Sequence, residues 1–161
     1  NAVKSANIVV IDIDSLINNN IQYLEMLENI NKDKEQNYNI LNKNEEDLEK
    51  IFQEIESSKQ ILDERELNKI INEYNTMFED FAKLVDAYNL HYENEIIKLR
   101  KNIFQEIIVL AENYAKNNNI DLILDSSNYL IASNNINITQ VIKEKLNVIN
   151  LKLEFKNFEK N

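Results

Sequence analysis

The sequence has 161 residues, enough for one ordinary domain or for one small domain with an appendage. It contains no Gly and no Cys, which excludes glycine-rich phosphate loops, thiolate nucleophiles, disulfides and Cys-ligated metals, and its single histidine, His91, cannot build a multi-histidine metal site. The formal net charge is −10, from 28 acidic and 18 basic residues, which argues against binding to nucleic acids or to anionic membrane surfaces.

The ends and the hydropathy of the chain set further bounds. No run of about 18 apolar residues is present, so no membrane span is predicted. The chain begins with Asn1 and Ala2 rather than Met. We therefore expect either that a signal peptide has been removed or that these two residues are a cloning remnant. No cofactor, no metal and no catalytic residue is predicted.

The first predicted element is a short buried strand at residues 7–13, because five of these seven residues are β-branched and apolar. Asp14 or Ser15 should then cap a helix that runs to about Lys59. Apolar residues follow the helical period along this segment, but the pattern is poor at residues 29–39.

A second, stronger helical pattern runs from Leu67 to about Asn117, with apolar residues every three or four positions as far as Tyr114. About 50 helical residues would span roughly 75 Å. Residues 57–66 between the two patterns form the predicted reversal, where Asp63 and Glu66 give a start signal for the second helix. The two helices are therefore expected to lie antiparallel as a long hairpin.

The C-terminal part is predicted to be β-rich. Residues 120–125 and 129–132 read as two strands joined by a turn, and Thr139 should cap a short helix that ends near Leu146. Apolar residues alternate from Ile149 to Phe155, which predicts a possible edge strand. Because the chain lacks Gly and Asn is the best substitute where a turn needs a positive φ, turns are expected at clusters of Asn, Asp and Ser.

These elements give an α+β fold in which a long antiparallel helical hairpin, a coiled-coil-like limb, projects from a small β body. The body comprises residues 7–22 and 118–149, the limb residues 23–117 with its tip near 57–66, and the tail residues 150–161. So small a body is marginal alone, so we expect oligomerisation to complete it. The apolar residues predicted to form the shared core are Ile8, Val10, Ile13, Leu122, Leu124 and Leu130.

Aromatic residues are concentrated on the limb. They either pack the two helices together or face a partner, and the sparse pattern of the first helix opposite the rich second helix leaves apolar surface unmatched. The residues predicted to bind a partner are Phe52, Tyr74, Phe78, Phe81, Tyr88 and Tyr92.

The order of these elements resembles the Skp/OmpH family of periplasmic chaperones. The matching segments are Ile8–Ile13, the tip at Ile61–Leu67, Asn119–Ser126 and Ile138–Leu146, so that the resemblance spans residues 7–146. The two strand motifs with Ile138 and Thr139 are moderately specific, whereas the limbs are generic coiled-coil sequence.

The resemblance implies a homotrimer in the periplasm, made from chains whose signal peptide has been removed. Three limbs would enclose a cavity that holds unfolded outer-membrane proteins without ATP and prevents their aggregation during outer-membrane protein biogenesis. The limbs here are acidic, with 13 acids and 6 bases in residues 22–66. Binding of lipopolysaccharide is therefore doubtful, and client capture should depend on apolar contacts more than on charge.

Other functions remain open on the residues alone. The chain could be a coiled-coil adaptor or structural protein that binds one folded partner. A carboxylate enzyme built on Asp12 and Asp125 is a weaker alternative, because Asp residues at strand ends usually cap the next turn. His91 is expected to be a solvated or half-buried helix residue.

Overall fold

The computed structural model of the protein describes residues 2–159, so Asn1 and the last two residues of the predicted tail lie outside the described residues. Its elements are β1 (Ile8–Ile11), α1 (Ile13–Asn18), α2 (Ile21–Ser58), α3 (Glu64–Asn117), β2 (Leu122–Asp125) and α4 (Thr139–Asn147). A long packed pair of helices and a small two-stranded sheet confirm the predicted α+β class. The described residues form two compact units, residues 2–28 with 96–155 and residues 29–95 with 156–159.

The sheet of the first unit is parallel, and Ile8 to Ile11 pair in register with Leu122 to Asp125. A parallel pair needs a long connection, and here residues 12–121 supply it. On its other edge β1 accepts a hydrogen bond from the backbone N–H of Ile138 to the carbonyl of Val10, at 2.9 Å. With partners on both sides, the β1 residues Val9, Val10 and Ile11 are buried.

The predicted first helix is interrupted near its start. Asp12, rather than Asp14 or Ser15, caps α1, because its side chain accepts the backbone N–H of Ser15 at 3.0 Å. The helix ends before Asn19. A second helix, α2, begins at Ile21, and the side chain of Asn20 caps it by accepting the N–H of Tyr23 at 3.0 Å. Short polar side chains compete with helical hydrogen bonds in this way, and the apolar period alone does not reveal it.

At the end of α3 an Asn takes the left-handed conformation that Gly usually takes, whereas the other described residue with a positive φ is Lys152, at 49°. Asn119 has a φ of 55°, and the N–H of the following residue, Ile120, donates to the carbonyl of Ala115 at 2.9 Å. This is the helix-ending arrangement in which a left-handed residue lets the chain turn back over the last helical carbonyls.

In the second unit α2 and α3 are antiparallel. Phe52 lies against Tyr74, and further along the pair the Tyr88 hydroxyl donates to the carbonyl of Lys34 at 3.0 Å. The reversal lies at residues 59–63, and Asp63 caps α3 by accepting the N–H of Glu66 at 2.8 Å. The predicted start signal is confirmed, and the reversal falls within the segment 57–66 that was predicted as the tip.

The predicted strand at residues 129–132 is wrong for the single chain. A strand is stable when a neighbour satisfies its backbone groups, and no other strand pairs with these residues in the part of the chain described here. Leu130 is 99% exposed and Ile131 is 92% exposed. The Thr139 cap is also wrong, because its hydroxyl instead accepts the backbone N–H of Asp12 at 2.9 Å.

The predicted edge strand in the tail is not formed within the described residues 149–159. In the first unit the amide of Gln22 holds this segment, donating to the carbonyl of Ile149 at 2.8 Å and accepting the N–H of Leu151 at 3.0 Å. The predicted alternation does appear in burial, since Leu151, Leu153 and Phe155 are half-buried and the residues between them are exposed. The tail thus has the side-chain pattern of a strand, but a helix side chain, not a strand, pairs with it.

None of the helices within residues 2–159 is both long enough and apolar enough to cross a bilayer.

Candidate functional site

The six aromatic residues predicted to bind a partner fall into two groups in the second unit. Phe52 is 39% exposed and Phe78 is 52% exposed, while Tyr74 and Phe81 are half-buried. Tyr88 and Tyr92 are buried. The first four therefore offer apolar surface, whereas the last two serve the interior of this unit.

The exposed group forms a row near the tip. The rings of Phe52 and Tyr74 are 6.0 Å apart, and those of Tyr74 and Phe78 are 6.3 Å apart. Met77 on the same helix is also exposed. We call Phe52, Tyr74 and Phe78 the tip row. Aromatic rings with few rotatable bonds bury a large area at a low entropic cost, which suits a surface that binds chains of varied sequence.

A cleft of about 580 Å³ lies beside the tip row, further from the tip. Its polar lining residues are Asn44, Asp47, Asp80, Lys83 and Glu159. The apolar lining residues are Leu48, Met77, Phe81, Leu84, Ala87 and Phe158. Phe81 thus contributes to this cleft rather than to the tip row.

A half-buried aromatic residue that the sequence did not single out, Phe158, packs against the buried group. The Phe158 ring lies 5.8 Å from Tyr88 at 87°, 6.2 Å from Tyr92 and 5.5 Å from His91. Tyr88 and Tyr92 are themselves 5.0 Å apart in an edge-to-face arrangement. The tail pattern of alternating apolar residues ended at Phe155, so only the presence of one more aromatic residue could have drawn attention to Phe158.

Asp33 connects this aromatic cluster to the backbone of the tail. Its Oδ2 accepts the Tyr92 hydroxyl at 2.6 Å and the backbone N–H of Phe158 at 3.0 Å. Burial, followed by the hydrogen bond to Asp33, raises the pKa of Tyr92 well above its usual range. Burial also raises the pKa of Tyr88, with the neighbouring Tyr38 and Asp33 adding to the effect. Both phenols are therefore neutral hydrogen-bond donors at physiological pH.

His91 is half-buried, as predicted, and its Nε2 lies 2.6 Å from the carbonyl oxygen of Lys156. Its ring also contacts Tyr92, at 5.2 Å between centroids. The histidine side chain therefore belongs to the surface that holds the tail.

The residues predicted for a shared core differ in how far the single chain buries them. Val10 is buried, and Ile13 and Leu124 are half-buried. Ile8 and Leu122 face each other in the sheet register, and both remain exposed, as does Leu130. Exposed apolar residues at one end of a sheet are typical of a surface that another chain covers.

Asp12 and Asp125 act as caps and not as a catalytic pair. Asp125 Oδ1 accepts the backbone N–H of Ile13 at 3.0 Å, and its Oδ2 accepts the Ser127 hydroxyl at 2.7 Å. Burial acts to raise the pKa of Asp125, but these hydrogen bonds outweigh it and hold the pKa below its usual range. A carboxylate held ionised by local donors is a poor general acid. Among residues 2–159 no cluster of metal-ligating side chains occurs.

This combination of a long antiparallel helical pair with a small parallel sheet places the protein in a known structural class. The model of the family described as outer membrane protein (OmpH-like) matches residues 7–146. The chain therefore belongs to the OmpH-like family, which confirms the resemblance seen in the sequence. This is not an enzyme family, in agreement with the prediction that the chain is not an enzyme.

A solved structure shares the fold. It is a crystal structure at 2.83 Å resolution of a candidate outer membrane chaperone (OmpH-like) from Caulobacter crescentus, with a TM-score of 0.79. The sequence identity is 11%, over 99% of this chain and 95% of that chain, so the similarity is one of fold alone. No curated protein matches the sequence.

Proposed function

We propose that the protein is an ATP-independent holdase chaperone of the periplasm that binds unfolded outer-membrane proteins and prevents their aggregation. The observation that carries the proposal is the tip row of Phe52, Tyr74 and Phe78, an apolar surface on the hairpin of an OmpH-like chain. Unfolded membrane β-strands carry alternating apolar side chains, and such a surface lowers their free energy by burying them.

The proposed binding mode uses many weak contacts rather than one deep pocket. The exposed and half-buried rings of the tip row and the neighbouring Phe81 provide apolar area without dictating a sequence. The hairpin carries excess negative charge, which opposes electrostatic capture of acidic clients, so the proposed capture depends on apolar burial. Phe52, Tyr74, Phe78 and Phe81 are the proposed client-binding residues. Tyr88 and Tyr92, which are buried in the single chain, are excluded from direct contact while the tail covers them.

The protein is further proposed to act as a homo-oligomer, a trimer as in the related chaperones, with clients held in a cavity between the hairpins. Residues 7–22 and 118–149 would form the shared body. Support comes from exposed apolar side chains around the small sheet, namely Ile8, Leu122, Leu130 and Ile131. A strand at 129–132 would form when a second chain supplies the missing partner, because backbone groups are then satisfied across the interface.

Light scattering of an unfolded outer-membrane protein diluted from urea tests the proposal. With the chain present in molar excess, scattering should stay near the level of buffer, and the addition of ATP should change nothing. A folded soluble protein should not associate with the chain under the same conditions. Unchanged client aggregation would contradict the holdase function and favour an adaptor that binds one folded partner.

A further inference from the structure

Within the second unit, the backbone of the tail at residues 156–158 is held by side chains of α2 and α3. The N–H of Lys156 donates to Glu95 Oε2 at 3.0 Å, and the N–H of Phe158 donates to Asp33 Oδ2 at 3.0 Å. The carbonyl of Lys156 lies 2.6 Å from His91 Nε2. In an extended chain residues i and i+2 direct their backbone groups to the same edge. Side chains of α2 and α3 thus pair with this edge as a neighbouring strand would.

An aromatic pocket lies beside the side chains that bind the backbone of the tail. The Phe158 ring contacts the rings of Tyr88, His91 and Tyr92, with centroid distances of 5.5 to 6.2 Å. Charged carboxylates make stronger hydrogen bonds to N–H groups than neutral acceptors do. The backbone contacts do not depend on the side chain of the bound residue, whereas the pocket selects an aromatic ring. We call Asp33, Tyr88, His91, Tyr92 and Glu95 the tail site.

We propose that the tail site is a binding site for extended client segments that carry an aromatic residue, and that Phe158 occupies it until a client displaces the tail. This inference rests on the proposed function. A transmembrane β-strand alternates apolar and polar residues and places aromatic residues at the membrane interfaces. In an unfolded client its backbone N–H groups have no protein partner, so the carboxylates of Asp33 and Glu95 can accept them.

The tail has the features of such a segment. Its half-buried residues Leu151, Leu153 and Phe155 alternate with exposed ones, and Phe158 follows. Phe158 is itself only half-buried, and the residues on either side of it are exposed. Residues 156–159 therefore lie at the surface of the second unit, where a client segment of similar pattern can replace them. The tail also keeps the buried rings of Tyr88 and Tyr92 covered when no client is bound.

The test uses the full chain with Phe158→Ala, which empties the pocket without shortening the tail. The probe is a fluorescent synthetic peptide with the sequence of residues 149–161, titrated by anisotropy. We expect the variant to bind the peptide about tenfold more tightly than the unaltered chain, whose own ring competes. The matched control Asn157→Ser changes an exposed neighbour in the tail and should behave like the unaltered chain.

Two further measurements identify the site and its ligand class. In the Phe158→Ala background, His91→Phe keeps an aromatic ring but removes the hydrogen bond to the Lys156 carbonyl, and peptide affinity should fall about fivefold. A peptide from a membrane β-strand with alternating apolar residues and one aromatic residue should compete with the labelled tail peptide. The same strand peptide with its aromatic residue changed to Ala should compete at least about tenfold less well.

Equal peptide affinity in the Phe158→Ala variant and the unaltered chain would overturn the inference, as would equal competition by the two strand peptides. Failure of this inference and failure of the proposed function are distinguishable. If the unaltered chain suppresses client aggregation but the variant gains no peptide affinity, the proposed tail site is wrong and the holdase function is supported. If the variant binds the tail peptide but neither the variant nor the unaltered chain suppresses aggregation, the holdase function is wrong. The proposal that a client occupies the tail site is then wrong as well.

Discussion

Replacing Phe52 and Phe78 together with Ser should weaken client binding substantially. Phe78 is 52% exposed and Phe52 39% exposed. A Phe side chain has about 200 Å² of surface, so the two rings offer roughly 180 Å² to a client. At about 25 cal/mol per Å² complete burial would contribute about 4.5 kcal/mol. If an unfolded client covers half of this area, the double substitution should cost about 2 kcal/mol of binding free energy, or roughly 30-fold in affinity.

The assay is the change in anisotropy of a labelled outer-membrane protein diluted from urea into increasing concentrations of the chain. Phe104 provides a matched control, since it lies on the same helix, is 42% exposed and is not part of the tip row. Phe104→Ser should change affinity by less than about threefold, within the usual range for surface substitutions. Circular dichroism should show unchanged helix content in both variants. Unaltered affinity in the double variant would refute the assignment of the tip row.

Three further predictions concern the body, pH and salt. Leu130→Asp combined with Ile131→Asp should reduce the mass in solution to that of a single chain without loss of helix, since both side chains are exposed in the single chain; an unchanged mass would place the interface elsewhere. Stability should fall as the pH drops from about 5.5 to about 3, because the folded pKa of Asp125 lies below its ordinary value of 3.8 and its stabilising contribution is lost on protonation. Asp125→Asn should show a smaller fall in the urea midpoint over that interval, and an equal fall would contradict the role of this carboxylate. Client affinity should change less than about threefold between roughly 50 and 500 mM NaCl, because apolar burial is not screened by salt, whereas a steep loss would indicate capture by charge.

The sequence predicted the long elements well because their signals are local. An uninterrupted apolar period marked α3, and Asp63 with Glu66 marked its start, which lies at Glu64. The left-handed Asn119 agrees with the expectation of turns at Asn clusters, whereas the left-handed Lys152 was not predicted. These features depend on backbone sterics and on hydrogen bonds between near neighbours, so residue types a few positions apart are sufficient to reveal them.

The strand at 129–132 and the edge strand in the tail were wrong for a different reason. Both segments have strand-like side-chain patterns, but a strand also requires a neighbour, and pattern does not say which chain supplies it. Among residues 2–159 no strand pairs with Leu130, and the backbone of Leu151 pairs with the Gln22 side chain instead.

The sequence predicted only part of the candidate site, because local patterns do not show which distant residues cover a side chain. Helical spacing placed Tyr74, Phe78, Tyr88 and Tyr92 on neighbouring turns, but spacing alone does not decide which rings are covered. A residue more than 60 positions away in the sequence, Phe158, buries two of them. Contacts of this kind depend on where the tail runs, which no local pattern specifies.

Chains of this protein are expected to assemble and to hold an unfolded membrane protein in soluble form. Light scattering coupled to size-exclusion chromatography, applied to the chain mixed with an outer-membrane protein diluted from urea, measures this directly. We expect one soluble complex with the mass of three chains and one client. A chain that elutes as a monomer while all of the client is lost to aggregates would contradict it.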